Sequence, residues 1–470
     1  MTVQHHFGAA NIGHLTKAVG NFIAGMKFET IPEGGIVAAR NALSDYAAVT
    51  ILGRDAPVTT LISSFEAIGE QGEASVLFSN RRADARAASL INGVAGHAHD
   101  YDDVGIAFHP AHPSVAMAPA ILAEAECMGA SGREVLTAFV TAYEVWSELA
   151  SRDAEPHHIK GWHPTGTFGA IAAAAGVARL MGLDAEASSR AVSIAASQAA
   201  GLVANFGTMT KPFHAGRAAA AGLMAARYAK AGMSASPDIF DHANGFLAAV
   251  SPHGKVDFDR PAHFGKNWHI VDHGISIKLY PMCYGSHRIL DGLSRYLGSN
   301  DIEADKVAGV SFQTGPSRVV SLVHTNPITA LDAKFSAEFA VATCLIAKRV
   351  TLAELNDGFV NRPDVRSLMG KVRRDLDPAR DKGSFNQQPD DKLIIRMQDG
   401  TDHTLTLQAP RDQAISLDQG TLWTKFLDCT SAAMNEREAR RLYEAIQSLE
   451  TLQTINELLV NPARAMANAA

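Results

Sequence analysis

Apolar residues recur at helical spacing from about residue 12 to residue 260, in blocks separated by short polar punctuation. The clearest blocks are 36–52, 114–128, 132–150, 167–181, 185–203 and 215–231. Ser114, after Pro113, is a candidate cap for the second block, and Asp184 for the fifth. Gly129, Gly182 and Gly232 stand where helices should stop. Stretches 170–176 and 218–222 consist almost entirely of small residues, which lets helix axes approach closely. The pattern predicts a compact bundle of many helices buried on several sides.

The character changes after His273. Residues 307–314 have strand character, and 392–397, a Gln398-Asp399-Gly400 turn and 404–407 predict a β-hairpin. Residues 333–349 and 351–355 between them look helical. From 417 to 460 the helical period returns, with Lys425, Phe426 and Cys429 leading into 436–459. The expected fold is mainly α. A large all-helical domain (1–273) carries a smaller α+β lid domain (274–410) inserted before C-terminal helices (411–470) that return to the bundle. Two crossings suit a lid that moves.

A chain of 470 residues exceeds one hydrophobic core, which agrees with two domains. With 47% hydrophobic and 19% charged residues the composition is that of an ordinary globular protein. A net charge of −7 without a long basic run argues against a nucleic-acid partner. Cys127, Cys283, Cys344 and Cys429 are too scattered for a disulfide framework or a cysteine zinc site, and fit a reducing cytosol. The first eleven residues lack the layout of a signal peptide, and no apolar run nears the roughly 20 residues of a membrane span. A cytoplasmic protein with no membrane partner is expected. Phosphate-binding, dinucleotide-binding and serine-hydrolase signatures are absent from the sequence.

Candidate chemistry gathers in four segments at helix edges or in Gly/Pro-containing loops. The densest is His97-Ala98-His99-Asp100-Tyr101-Asp102-Asp103, with His109 and His112 behind it. It reads as an acid/base and substrate-anchoring site, as a zinc or iron site, or as a polar loop of capping and solvated groups. His112-Pro113-Ser114 is its sharper half, because a helix N-terminus there favours a substrate carboxylate beside an imidazole. His97 falls on the outer part of the run. Gly161-Trp162-His163-Pro164 repeats the geometry, with Thr165 or Thr167 as cap. In the loop 205–212, Lys211 is the only charge; it is a snorkelling surface group or a buried-facing ammonium able to hold a carboxylate or an enolate. The fourth segment offers Lys278, Cys283, Tyr284 and His287. Cys283 with His287 as base would make a nucleophile, though a packed or pocket-lining thiol is the simpler reading.

With these motifs the chain resembles the MmgE/PrpD family, whose members include 2-methylcitrate dehydratase, cis-aconitate decarboxylase and iminodisuccinate epimerase. The resemblance runs through His-Ala-His-Asp-Tyr-Asp-Asp, Gly-Trp-His-Pro-Thr-Gly-Thr, Asn-Phe-Gly-Thr-Met-Thr-Lys-Pro and Lys-x-Tyr-Pro-x-Cys to Ala333-Lys334-Phe335-Ser336. It implies a helical domain closed by a smaller lid, a homodimer, and a cleft site needing no metal or organic cofactor. It places active-site residues at Asp100, His112, His163, Lys211 and Lys278. His157 or His158 lies near a position where an epimerase relative has a tyrosine, so His158 joins Cys283, Tyr284 and His287 as candidate substrate contacts. Where cis-aconitate decarboxylases carry Thr, His and Tyr, this chain has Val104, Cys283 and Phe339. Those departures weaken a decarboxylase assignment.

A hydrogen beside a carboxylate is very weakly acidic, so removing it needs a positioned base and a cation for the developing enediolate. Lys211 and Lys278 are the candidate cations, His163 the base, and His112 the acid for a leaving hydroxyl. The expectation is a cofactor-independent dehydratase-type lyase acting on a hydroxylated di- or tricarboxylate. An epimerase of an amino- or iminodicarboxylate is the alternative on the same site, and a decarboxylase comes after it. A metal-dependent hydrolase is the alternative of another class.

Overall fold

The computed structural model describes residues 14–105, 108, 110–381 and 389–459. His109 and the first eleven residues, both used above, lie outside them. The fold is mainly α, and the chain divides into two compact units: Met1–Ser276 with Ala414–Ala470, and Ile277–Gln413.

The first unit is built from long helices whose ends follow local rules. Asp84 caps Ala85–His97 by accepting the Ala87 N–H at 2.9 Å. Ser131 and Glu134 form a reciprocal capping box on Gly132–Ala150, and Asp184 caps Ala185–Ala196. Gly129, Gly182 and Gly232 all take positive φ just past helix ends. The helix Pro164–Leu180 is buried along nearly its whole length, as a helix apolar on every side should be. Its core position rests on small residues, and so does the crossing of Ala85–His97 with Thr210–Lys230. A Cβ added to Gly93 would stand 2.6 Å from the Gly216 Cα, so the two backbones touch there.

Several expected boundaries move. The block 167–181 starts earlier, at Pro164, the first helical position that proline favours. The block 185–203 stops at Ala196, and Gly201 at φ +138° then turns the chain out of helical space. The block 215–231 starts at Thr210, which moves Lys211 from a loop into a first helical turn. Ser114 does not cap its own helix. Pro113 stands at the cap position without a side-chain bond, and the acceptor comes from Asp103 eleven residues back.

The C-terminal segment contributes Gln419–Thr430 and Glu436–Gln447, the second stopping at Gln447 rather than running to 459. Both meet the helix Glu33–Gly53. Asn41 Nδ2 donates to the Ala414 carbonyl at 2.7 Å, Gln447 Nε2 to Asn41 Oδ1 at 3.0 Å, and Lys425 pairs with Asp45, both buried.

In the second unit the described residues form a four-stranded sheet in the order Val372–Leu376, Val307–Thr314, Asp391–Met397, Asp402–Leu407. The first pair is parallel and the others antiparallel. The hairpin pairs Lys392 with Thr406 around Gly400, whose φ is +90°. The expected helix 333–349 is broken: Ala330–Ala333 ends, and Ser336 caps a new helix, Ala337–Ala347. The expected 351–355 helix is the short turn Leu352–Glu354 with its own capping box.

Candidate active site

At the end of Ala85–His97 the chain folds back on itself, with Asp100 N–H donating to the His97 carbonyl at 3.2 Å. Asp100 sits at φ +53°, a left-handed conformation that Asp tolerates better than most side chains. This turn points three carboxylates inward. Asp102 lies with Oδ1 2.8 Å from His97 Nδ1 and Oδ2 3.0 Å from His112 Nδ1. Asp103 takes the N–H and hydroxyl of Ser114. Asp100 accepts from Lys211 Nζ at 2.6 Å and lies 3.5 Å from His112 Nε2.

The acceptor at the Ser114 helix start is the protein's own Asp103, at the place where the sequence reading put a substrate carboxylate. His97 is also misplaced by that reading, being fully buried on Asp102 rather than outermost. Lys211 occupies the first turn of Thr210–Lys230, where the helix dipole disfavours a cation, so Asp100 is what compensates it. The ammonium also lies 5.1 Å from the Phe206 ring centre.

The two His-Pro helix starts are stitched together. His112 N–H donates to Thr165 Oγ1 at 3.0 Å, so Thr165 serves the other segment instead of capping its own. His163 takes the cap position of Pro164–Leu180, and its N–H donates to the Gly201 carbonyl at 2.9 Å. Its Nδ1 is 3.0 Å from the Nδ1 of His214, a residue to which sequence reasoning gave no role. The available signal was spacing: His214 is one helical turn beyond Lys211 and so shares its face.

The electrostatics favour neutral bases. Burial, reinforced by Lys211 and by neighbouring imidazoles, holds His163 well below the usual histidine range. Burial likewise lowers His97 to about 4, against the pull of Asp102, and His214 to about 4. Burial opposes ionisation of Asp102, but His97 and His112 outweigh it and keep this carboxyl well below its ordinary value. Asp103 goes the other way, raised by burial and by Asp45. His112 Nδ1 faces only acceptors, the Asp102 carboxylate and the Asp103 carbonyl at 2.9 Å, so it carries a proton. Nε2 is the His112 nitrogen turned toward Asp100.

His97, Asp100, Asp102 and His112 each offer a ligand atom, and these lie within 4.8 Å of one another. The set fits a metal poorly in this arrangement. Lys211 already holds Asp100, and a second cation would sit against that ammonium; Asp102 is shared by two imidazoles. An ammonium near imidazoles that burial keeps neutral, those of His97, His163 and His214, suits an anionic substrate that exchanges protons.

The sequence matches the MmgE/PrpD N-terminal domain over residues 17–259 and the MmgE/PrpD C-terminal domain over residues 280–451. The chain belongs to the MmgE/PrpD family. It is 27% identical over 409 residues to cis-aconitate decarboxylase of Mus musculus, covering 83% of this chain and 81% of that protein. The human cis-aconitate decarboxylase is 25% identical over 458 residues, covering 94% and 93%. That of Aspergillus terreus is 22% identical over 486 residues, covering 98% of each.

Among the remaining candidates of this MmgE/PrpD protein, His158 belongs to the first unit. His158 is half-buried in the turn His157–Lys160, and its side chain has no hydrogen bond or ion pair among the described residues. Its buried neighbour His157 stacks on Phe168 and faces Asp153 at 3.3 Å. Lys278, Cys283, Tyr284 and His287 belong to the second unit. Lys278 is buried there. Cys283 Sγ donates to Ser321 Oγ at 3.3 Å, while His287 Nε2 lies 3.3 Å from the Met282 carbonyl and its ring packs on Tyr280 and Tyr284. This gives Cys283 the role of a packed thiol. Val104 is buried and pairs with Ser276 through both backbone bonds, and Phe339 is in the core of the second unit.

Proposed function

We propose that this protein is a dehydratase-type lyase acting on a hydroxylated di- or tricarboxylate. The observation that supports it is the buried Asp100–Lys211 ion pair beside imidazoles held neutral. In this reading a substrate carboxylate meets the Lys211 ammonium, and Lys278 is a further cation assigned by family resemblance. The Nε2 lone pair of His163 takes the proton from the carbon next to that carboxylate. The C–H electron pair is left on the substrate as an enediolate, whose charge the ammonium stabilises. It then forms the carbon–carbon double bond as the neighbouring C–O bond breaks, and the departing hydroxyl takes a proton from Nε2 of a doubly protonated His112, which is left neutral with its proton on Nδ1, to leave as water.

The names of the relatives favour decarboxylation as the second reading, in which the same cation holds the carbanion left by carbon dioxide. One experiment separates the outcomes: citrate, 2-methylcitrate, cis-aconitate and iminodisuccinate, each incubated in deuterated water and followed by NMR and ultraviolet absorbance. Alkene formation from a hydroxy acid supports dehydration. Carbon dioxide from cis-aconitate replaces it with decarboxylation, and α-deuteration without an alkene replaces it with epimerisation. Stoichiometric zinc or iron in the purified protein, with turnover lost to chelator, would overturn all three. We propose a homodimer as the active form, checked by light scattering on the eluting protein.

A further inference from the structure

The pair His163–His214 is used by the reading above at one ring only. Its geometry is unusually constrained. The two Nδ1 atoms are 3.0 Å apart, with ring centres at 5.2 Å and planes inclined by 58°. Both residues are buried. The backbone beside them is shaped to the pair: Gly201 has φ +138°, and a Cβ there would lie 3.2 Å from the His214 ring and 3.4 Å from His163 Cβ. Arg217, on the same helix as His214, donates to the carbonyls of Gln198 and Ala200 and so fixes the segment that carries this glycine.

Two ring nitrogens at that distance hold one proton between them. With none, two lone pairs face each other; with two, hydrogens collide. Among the described residues, the groups that act most strongly on the pair include no carboxylate to claim that proton. They are Lys211 and Arg217 from Thr210–Lys230, His97 from the end of Ala85–His97, and His112. The shared proton therefore defines two states. If His163 donates, its Nε2 is a bare lone pair, and the residue is a base. If His214 donates, His163 carries its own proton on Nε2, and the residue is an acid.

We propose that His214 is the positioning residue that sets the protonation state of His163, taking up the shared proton each time His163 Nε2 gains one. The proton balance is closed. The substrate C–H bond breaks, a bond forms from that hydrogen to His163 Nε2, and the electron pair stays on the substrate. The hydrogen on His163 Nδ1 crosses to His214 Nδ1, which leaves His163 neutral with its proton on Nε2 and puts the positive charge on His214. Loss of the His214 Nε2 proton to water discharges it. After product leaves, the relay runs backwards: His163 Nε2 gives up its proton, His214 Nδ1 returns the shared one to His163 Nδ1, and His214 Nε2 regains a proton from water. The inference rests on the lyase reading for its chemistry, but the couple itself does not.

The test uses the full-length protein labelled with 15N-histidine, as wild type and as His214→Gln and His214→Asn, with circular dichroism to confirm folding. In the wild type without substrate, a coupling between the two Nδ1 nuclei across the N–H···N bridge is expected, and it disappears in both variants. With whichever acid of the four-compound panel the wild type consumes, His214→Gln should lower kcat by about 10-fold or more. KM should stay within about twofold, because the glutamine fills the space and hydrogen-bonds but takes up no proton. The pH profile of kcat should also change. An absent bridge in folded wild-type protein, or a His214→Gln enzyme with wild-type kcat and pH profile, overturns the proposal. A bridge that is present while no polycarboxylate is consumed supports the couple and overturns the lyase reading. Turnover without a bridge does the reverse.

Discussion

Replacing Lys425 by Met tests whether the C-terminal helix holds the active-site turn in place. The ammonium is buried, pairs with the equally buried Asp45, donates to the Tyr101 carbonyl at 2.7 Å and lies 4.2 Å from the Tyr101 ring centre. Burial already pushes Asp45 up to about 6 from 3.8, against the pull of Lys425. Because the folded value exceeds the unfolded one, ionised Asp45 opposes folding, and stability falls as pH rises from 3.8 through 6. Without Lys425 the folded value climbs further. Below about pH 6 Asp45 is neutral in both proteins, and the variant loses chiefly the bond to the carbonyl, about 1.5–3 kcal/mol for a charged donor, with the smaller contact on the Tyr101 ring. Above pH 6 the wild type can ionise and the variant cannot, so the gap widens by about 1.4 kcal/mol per pH unit. At pH 7.5 the two parts total about 4 kcal/mol, the scale of a broken buried ion pair. All four tryptophans lie in the first unit, so their fluorescence during denaturant unfolding reports that unit alone. Reading the difference from wild type at each pH cancels other titrating groups. Asp45→Asn combined with Lys425→Met should remove the pH-dependent part. A loss that stays constant between pH 6 and 8, or a total below about 1 kcal/mol, refutes the reasoning.

Other outcomes follow from the cluster. His163→Gln should cut turnover by roughly 10²–10⁴ with folding intact, measured as steady-state kcat. Lys211→Met should raise KM and lower kcat together, because the charge meets substrate and transition state alike. His97→Gln should cost about 1–3 kcal/mol in denaturant unfolding, since Asp102 keeps its burial and loses a well-placed donor. Gly201→Ala should lower kcat and destabilise the first unit by about 1 kcal/mol or more, because alanine is strained at φ +138° and its methyl presses on both imidazoles.

Helices such as Ser114–Met128 and Gly132–Ala150 were legible to the residue, because Gly129 between two apolar blocks is a local stop signal that needs no partner. The hairpin around Gly400 was legible for the same reason. The edge strand Val372–Leu376 was not: Val-Arg-Arg-Asp-Leu lacks an apolar alternation, since its side chains are largely outside the core. Asp100, His112, His163 and Lys211 could be named from motifs and do meet or approach one another. What the sequence withheld was pairing. Asp103 serves a helix eleven residues away, Asp102 is shared by two histidines, and Lys425 reaches a carbonyl 324 residues back. Periodicity reports which face is buried, and is silent about which polar partner waits there.

The discontinuity of the first unit has a consequence during synthesis. Its opening stretch ends at Ser276, yet the Lys425 that grips Tyr101 and Asp45 follows the whole of Ile277–Gln413. At ribosomal speeds the intervening residues take on the order of ten seconds to appear. Throughout that interval the groove on Glu33–Gly53 that later receives Gln419–Thr430 has no covering helix, and Asp45 has no cation. The nascent bundle thus lacks this cover beside the Tyr101 turn until translation is nearly finished, and a chain that terminates early exposes that groove permanently to chaperones and proteases.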